Sequence, residues 1–487
     1  VVFGLSSAFI DRGVRIMAVR HPNTVGAAII AVCALLLASV TLPVQAKDCN
    51  VLDYGAKPND GQKDTAAIQA AIDACAARGG GRAVIPEGTW ISGQVRIKSN
   101  TELHIARGAL LQGSPDIADY PMMNSVAALD HGENELKRDG LIVADNVERV
   151  ALTGSGIIDG NGEAFWDKGF LQDTRSRPTL PRPMPWIAFR NARDVRIRDL
   201  SFRNSPSYGV NITESSLVRI HDIRIENHVK SPNTDGIQIV DSRDVVIAGV
   251  HINTGDDAVV LKSHRSPIED IVVRDSLLIS DDAAFKLGTG SEQSMRRISL
   301  IDTSIRDSRF GITFFMKDGG LYEDILVRNV RFGGKRTRHS TEYPIYADID
   351  RRNPTSTLGR IRDLRFEGLR LESRGNLLIQ GHPLSPIEGL RMRDVEFVVG
   401  DDAVDLSALR GKPRGNALIG ALPDSVDYAR ERAHITLAHV RGAMFEDVRV
   451  VAPAGRRTTL FRKDVEDSEG LEVETIAPVP VDPEGAK

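Results

Sequence analysis

Leu217-Val218-Arg219-Ile220, Asp244-Val245-Val246-Ile247, Asp270-Ile271-Val272-Val273, Arg297-Ile298-Ser299-Leu300 and Asp324-Ile325-Leu326-Val327 repeat one phrase along the middle of the chain. With Asp194-Val195-Arg196-Ile197 before them, their starts lie 23, 27, 26, 27 and 27 residues apart, and weaker copies begin at Arg149, Asp363 and Gly389. Apolar residues take every second position in each copy, the period of a strand with one buried face. A second short strand follows within each period, over 236–240, 258–262, 284–288 and 311–315. Two or three strands per repeat of about 25 residues, with no helical pattern between them, predict an all-β fold: a right-handed parallel β-helix whose coils bury their inner side chains against one another. Propeller blades need longer periods, nearer 40 to 50 residues. A Rossmann sheet or an α/β barrel needs helices between its strands, and none are legible.

The ends of the chain differ from this repeat. Residues 64–77 are alanine-rich and amphipathic, with Asp64 as an N-cap and Gly79-Gly80-Gly81 as a stop, and predict a helix that caps the open end of the solenoid. Met17, Arg20 and His21 precede an apolar run of 18 residues from Val25 to Leu42 that ends at Val44-Gln45-Ala46. That pattern reads as a signal peptide over 1–46, with an over-extended start before Met17 and cleavage after Ala46. The run is barely long enough to span a bilayer, and no basic cluster follows it, so stable membrane association is not expected after cleavage. Residues 47–477 are expected to form a single β-helix domain, and the Pro-rich tail 478–487 to be disordered. Inserts near 115–140, 160–185, 333–360 and 400–440 would build the walls of a groove on the solenoid.

The formal charge of −4 over 487 residues, with a pI near 6.3, gives no footprint for nucleic acid. Removal of Arg12, Arg15 and Arg20 with Asp11 takes the charge to −4 − 2 = −6. Of the three cysteines, Cys33 leaves with the signal. Cys49 and Cys75 then remain in an oxidising compartment, where a disulfide would pin the N-terminus to the first helix; two free thiols are the alternative.

Two acidic motifs, Asn233-Thr234-Asp235-Gly236 and Gly255-Asp256-Asp257, put their last carboxylates 22 residues apart, close to one coil. Asp235 and Asp257 each precede the small residue that opens a second strand, so they should occupy equivalent stations about 4.8 Å apart, with Asp256 projecting differently. Such a cluster suits glycosidic hydrolysis, in which one carboxyl protonates the leaving oxygen and another activates water. Crowding raises the pKa of such groups, which helps one of them stay protonated. Isolated Asp residues in solenoid turns more often serve the backbone, and the Gly400-Asp401-Asp402 copy, in an irregular insert, reads that way. Asp281-Asp282, one repeat beyond Asp256-Asp257, either extends the patch or is another turn.

These motifs in order resemble the signature of glycoside hydrolase family 28, the polygalacturonases and rhamnogalacturonases. Asp53-Tyr54-Gly55-Ala56, Pro86-Glu87-Gly88-Thr89, the run from Gly154 to Gly160 and Asn204-Ser205-Pro206 are similar to that family as well. The resemblance implies single-displacement inversion without metal or cofactor on a pectin-type poly- or oligosaccharide; together with the signal-like segment 1–46, the expectation is a monomer in the periplasm or outside the cell. It makes Asp256 the general acid and gives Asp235 and Asp257 the attacking water.

Two departures from the family stand out. Its Gly-His-Gly is replaced by Asp282-Ala283-Ala284, and its Arg-Ile-Lys by Thr313-Phe314-Phe315. A galacturonate carboxylate wants an Arg or Lys partner. Either Lys317, Arg265, Arg336 or Arg338 supplies that cation, or the bound sugar is neutral or differently decorated. Further substrate contacts are expected from Asn233, Asp282, His264, Tyr343 and Tyr346, the tyrosines by stacking on sugar faces, with core packing as their alternative. Lys262 and Lys286, at strand ends, read as structural, with contact to a substrate anion as the alternative. Two rival functions stand beside hydrolysis: a uronate lyase or epimerase with Lys262 or Arg265 as proton abstractor, and a non-catalytic glycan-binding solenoid.

Overall fold

The repeated phrase forms the first of three ladders of parallel strands, through Arg193–Arg198, Ser216–His221, Arg243–Ala248, Ile268–Arg274, Ser294–Ile301 and Leu321–Arg328. Each strand pairs with its counterpart one coil away. A second ladder runs through Ser201–Arg203, Arg224–Glu226, His251–Thr254, Leu277–Ser280 and Ser304–Arg306. A third runs through Val210–Thr213, Ile237–Val240, Val259–Ser263, Ala283–Ser291, Phe310–Met316 and Tyr343–Ile349. The protein is thus a parallel β-helix, seen in a computed structural model that describes residues 48–123, 137–167, 177–178, 181–334, 342–375, 377–400, 434–451 and 460–471.

The aspartate that opens the phrase has a conformational task. Asp194, Asp244, Asp270 and Asp324 lie in the left-handed region, with φ between 53° and 59°. The ladder register passes over them: Arg193 pairs with Ser216 and Val195 with Val218, leaving Asp194 unmatched. Asp tolerates this conformation because its short side chain can bond to the local backbone, which is why it recurs. Leu217 and Arg297 hold the same conformation (φ 56° and 54°) without that help, at a cost of roughly 1–2 kcal/mol each.

Behind each corner, Val195, Val218, Val245, Ile271, Ile298 and Ile325 stack in direct register and are fully buried. Each such side chain contributes about 1.5–3 kcal/mol through burial. Parallel columns from the other ladders complete one continuous core.

The capping helix is Thr65–Ala77, and it buries Ile68, Ala71, Ile72 and Cys75. Cys75 is disulfide-bonded to Cys49, in the strand Cys49–Asn50 that pairs with Gly81–Ile85. Asp64 occupies the N-cap position, but its side chain makes no capping bond. Its Oδ1 instead accepts from the Lys57 N–H at 2.9 Å, tying the preceding loop down. Among the described residues no helix is long and apolar enough to cross a membrane. The readings made for 1–46, for Asp401-Asp402, for Arg336 and Arg338, and for the tail 478–487 fall outside the described residues.

Candidate active site

The entrance to the third ladder carries the acidic motifs. Ile237 pairs with Val259, so the preceding Asp235 and Asp257 share one station on neighbouring coils, and the Gly236 N–H donates to the Asp257 carbonyl at 2.8 Å. Ala283, Phe310 and Tyr343 continue the same column on the next three coils. The glycines of both motifs are required by close approach. A Cβ on Gly236 would fall 2.5 Å from the Ala258 carbonyl oxygen, and one on Gly255 would fall 2.6 Å from that of Ser231.

Buried hydroxyls fasten the two motif loops together. The Thr254 hydroxyl donates to the Thr234 carbonyl, Thr234 Oγ1 bonds Ser231 Oγ, and the Gly255 N–H donates to Thr234 Oγ1 at 3.3 Å. Asn233 holds a left-handed turn, and its Oδ1 accepts from Arg182 Nη2 at 2.8 Å. Arg182 is fully buried and also donates to the carbonyls of Pro206 and Pro232. Asn233 therefore anchors the loop that presents Asp235.

Asp256 leaves the column one residue before Asp257, beside Asp282 of the following coil. The Ser280 hydroxyl links them, donating to the Asp256 carbonyl at 2.6 Å and accepting from the Asp282 N–H at 2.9 Å. Asp256, Asp257 and Asp282 each bring an oxygen within 4.8 Å of the others. This is tighter than the roughly 6.5–9.5 Å across which inverting carboxyls are usually spread, because two of the three are sequence neighbours and the third stacks on them.

Removal from water dominates the electrostatics of this cluster. Burial raises the Asp235 carboxyl well above its usual range; Asp256 and Asp257 add to the rise, while Lys262 and the Gln238 amide oppose it. Burial likewise pushes Asp257 up to about 7, with Lys286 opposing and Asp256 and Asp282 reinforcing. Asp257 rises despite its ion pair because desolvation and two neighbouring carboxylates together outweigh one ammonium.

Each of the stacked aspartates is held through one oxygen. Asp235 Oδ2 accepts from Gln238 Nε2 at 2.6 Å, at the end of a relay in which Thr213 donates to Asn211 (2.7 Å) and Asn211 to Gln238 (3.0 Å). Asp257 Oδ2 accepts from Lys286 Nζ at 2.7 Å, whereas its Oδ1 is buried with no hydrogen-bond partner among the described residues.

Of the other predicted contacts, Asp282 joins the cluster, with Arg309 Nη1 3.5 Å from its Oδ1. His264 follows the strand Val259–Ser263 and packs over Gly290, where an added Cβ would fall 2.3 Å from its ring. Three expectations are corrected. Lys317 is 2% exposed and its ammonium is bound to Asp348, so it is a buried ion pair and not an open cation. Tyr343 and Tyr346 are core aromatics, packed with Phe310 and Phe315 at centroid separations of 5.1–5.3 Å. Their faces are spent on one another.

Sequence reasoning passed over Gln238, Arg309 and Arg182, and it read Lys286 as structural or as a contact to a substrate anion, without its link to Asp257. For two of them a signal existed: register puts Gln238, Val260 and Lys286 at one outward station of the third ladder, three residues after the acidic column. Arg182 comes from an insert, and no periodicity points to it.

A family model for glycosyl hydrolases family 28 matches residues 75–410. The chain belongs to that family. A probable polygalacturonase of Vitis vinifera is 27% identical over 386 residues, which cover 72% of this chain and 74% of the relative. An exo-poly-alpha-D-galacturonosidase of Dickeya chrysanthemi is 26% identical over 256 residues, 44% of this chain and 41% of the relative. Among solved structures, a family 28 exopolygalacturonase of Yersinia enterocolitica superposes with a TM-score of 0.62 at 17% identity, covering 89% of this chain and 79% of that one. A Thermotoga maritima exopolygalacturonase gives 0.59 at 22% identity, with 73% and 87% covered. These superpositions concern the fold. As a family 28 member the protein is a glycoside hydrolase acting on O-glycosyl bonds.

Proposed function

We propose that this family 28 hydrolase cleaves a pectin-type polysaccharide with inversion, after export to the periplasm or the cell exterior. The observation that carries the mechanism is the stacking of Asp235 and Asp257 on adjacent coils with Asp256 beside them. Carboxylates one coil apart, about 4.8 Å, are spanned by one water making two hydrogen bonds of about 2.8 Å. In this reading Asp256 gives its proton to the glycosidic oxygen as the bond from the anomeric carbon breaks. The water attacks that carbon from the other face and passes a proton to the Asp235–Asp257 pair. The buried Asp257 Oδ1, without a partner among the described residues, supports a water at that place.

The names of the Vitis and Dickeya relatives favour a galacturonan backbone. Thr313 and Phe315 stand where the family carries cations, and Lys317 is consumed by Asp348, which favours a neutral or decorated sugar near them, as in rhamnogalacturonan. Export is supported by the signal-like segment 1–46 and by the Cys49–Cys75 disulfide, a bond of oxidising compartments.

Because the carboxyls are compact, spacing alone does not separate inversion from retention; the anomer of the first product does. Early products from homogalacturonan, rhamnogalacturonan and xylogalacturonan oligomers, read by proton NMR, are expected to show the inverted anomer. Retention would contradict the mechanism, and an ultraviolet-absorbing unsaturated product would replace hydrolysis with elimination.

A further inference from the structure

The family's histidine position is Ala283 here, yet the cluster does hold a positive charge. Lys286 lies three residues further along the same strand, at the outward station it shares with Val260 and Gln238. Its ammonium is 2.7 Å from Asp257 Oδ2, with side-chain exposures of 11% and 5% for the two residues. The ammonium also lies 5.4 Å from the centroid of Phe315, in one of the positions where the family carries its second cationic motif. An aromatic face there favours the ammonium and shields it from water. One lysine thus reaches from the following coil, past the small Ala283, onto the carboxylate that its own station does not bear.

We infer that Lys286 is a positioning residue: it fixes the orientation of the Asp257 carboxylate and favours its ionised form as the water-activating base, in place of the family's histidine. This rests on the hydrolytic roles proposed above for the aspartates. The ion pair occupies Oδ2 and leaves Oδ1 for water, so one contact sets both the orientation and the charge of the base. The other charges facing Asp257 are carboxylates: Asp256 beside it, Asp235 from the preceding coil and Asp282 from the following one. Lys262, on the strand after Asp257, acts on Asp235, and Arg309 is paired with Asp282. Lys286 is therefore the ammonium in hydrogen-bond contact with Asp257 among the described residues. It carries the same direction of effect, since Asp257, Asp282 and Asp256 raise its own pKa against the opposing pull of burial.

The test compares Lys286→Met, Lys286→Arg and the parent protein. Removal of an opposite charge within contact distance should move the acidic limb of the kcat/KM–pH profile to higher pH by roughly one to three units, and Lys286→Arg should restore it. The same displacement is read without turnover from the carboxyl carbon-13 titration of Asp257, identified by its loss in Asp257→Asn. A displaced titration in Lys286→Met, reversed in Lys286→Arg, supports the inference even if the variant is too slow to assay. An unmoved titration in a folded variant overturns it. Failure of the hydrolytic assignment looks different, because Asp256→Asn would then retain turnover whatever Lys286 does to Asp257.

Discussion

On one ladder of this β-helix, Asp235 and Asp257 stand in the same column as Phe310 and Tyr343, which follow after Ala283. The backbone register is shared, and both groups are buried. In the acidic stretch, burial leaves carboxyls with raised pKa, each held through one oxygen by Gln238 or Lys286. In the aromatic stretch, the same stations are filled by rings packed edge-to-face and stacked, and the nearby charges Lys317 and Asp348 are closed on each other. A β-helix column therefore transmits position and not chemistry. What a station does depends on the side chain the sequence puts there: a carboxyl that can take up a proton, or a ring that fills space.

The sharpest way to break this contrast is to exchange expectations between the two stretches. Asp257→Asn should lower kcat on the order of 10²–10⁴-fold while the protein stays folded, since an amide cannot accept the proton. Phe310→Ala should instead lower the unfolding free energy by about 3–5 kcal/mol in denaturant titrations, with turnover per folded molecule within a few-fold of the parent. A Phe310→Ala protein that folds well but loses turnover as Asp257→Asn does would erase the distinction.

Lys317→Met should cost about 3–5 kcal/mol, because it strands the buried Asp348; the added change Asp348→Leu should recover most of that loss. If Lys317→Met leaves stability intact and weakens substrate binding, Lys317 belongs to the groove after all.

The smallest effect is on the pH dependence of stability. Asp257 has a folded pKa near 7 against roughly 3.9 for an unfolded aspartate, so the folded state binds its proton more tightly. Its contribution is fully present below about pH 4 and is lost as pH rises through 7. The fall in melting temperature between pH 5 and 8 should be shallower in Asp257→Asn than in the parent. An equal slope would place the titrating group elsewhere.

The fold was legible because its unit is local. A left-handed Asp and two alternating apolar residues recur at nearly constant spacing, and that is enough to stack one ladder. The acidic column was legible for the same reason, since Asp235 and Asp257 are one repeat apart. The partners were less so. Tyr343 and Tyr346 read as sugar platforms with core packing as the alternative, and the arrival of Phe310 and Phe315 on the same face decides for the core. Lys317 looks like a free cation until Asp348, 31 residues on, is seen beside it. Lys286 reaches Asp257 from 29 residues away, from a station that points outward only once the register is known. Arg182 reaches Asn233 across 51 residues from an irregular insert, beyond any periodic signal.

The central claim is that chemistry resides in the carboxylates and is absent from the aromatic continuation of their column. The most direct measurement is kcat for Asp256→Asn on an oligosaccharide that the parent protein cleaves, taken together with the melting temperature of both proteins. The account predicts an unchanged melting temperature and a loss of at least roughly a hundredfold in kcat. Parental turnover in the folded variant would contradict it.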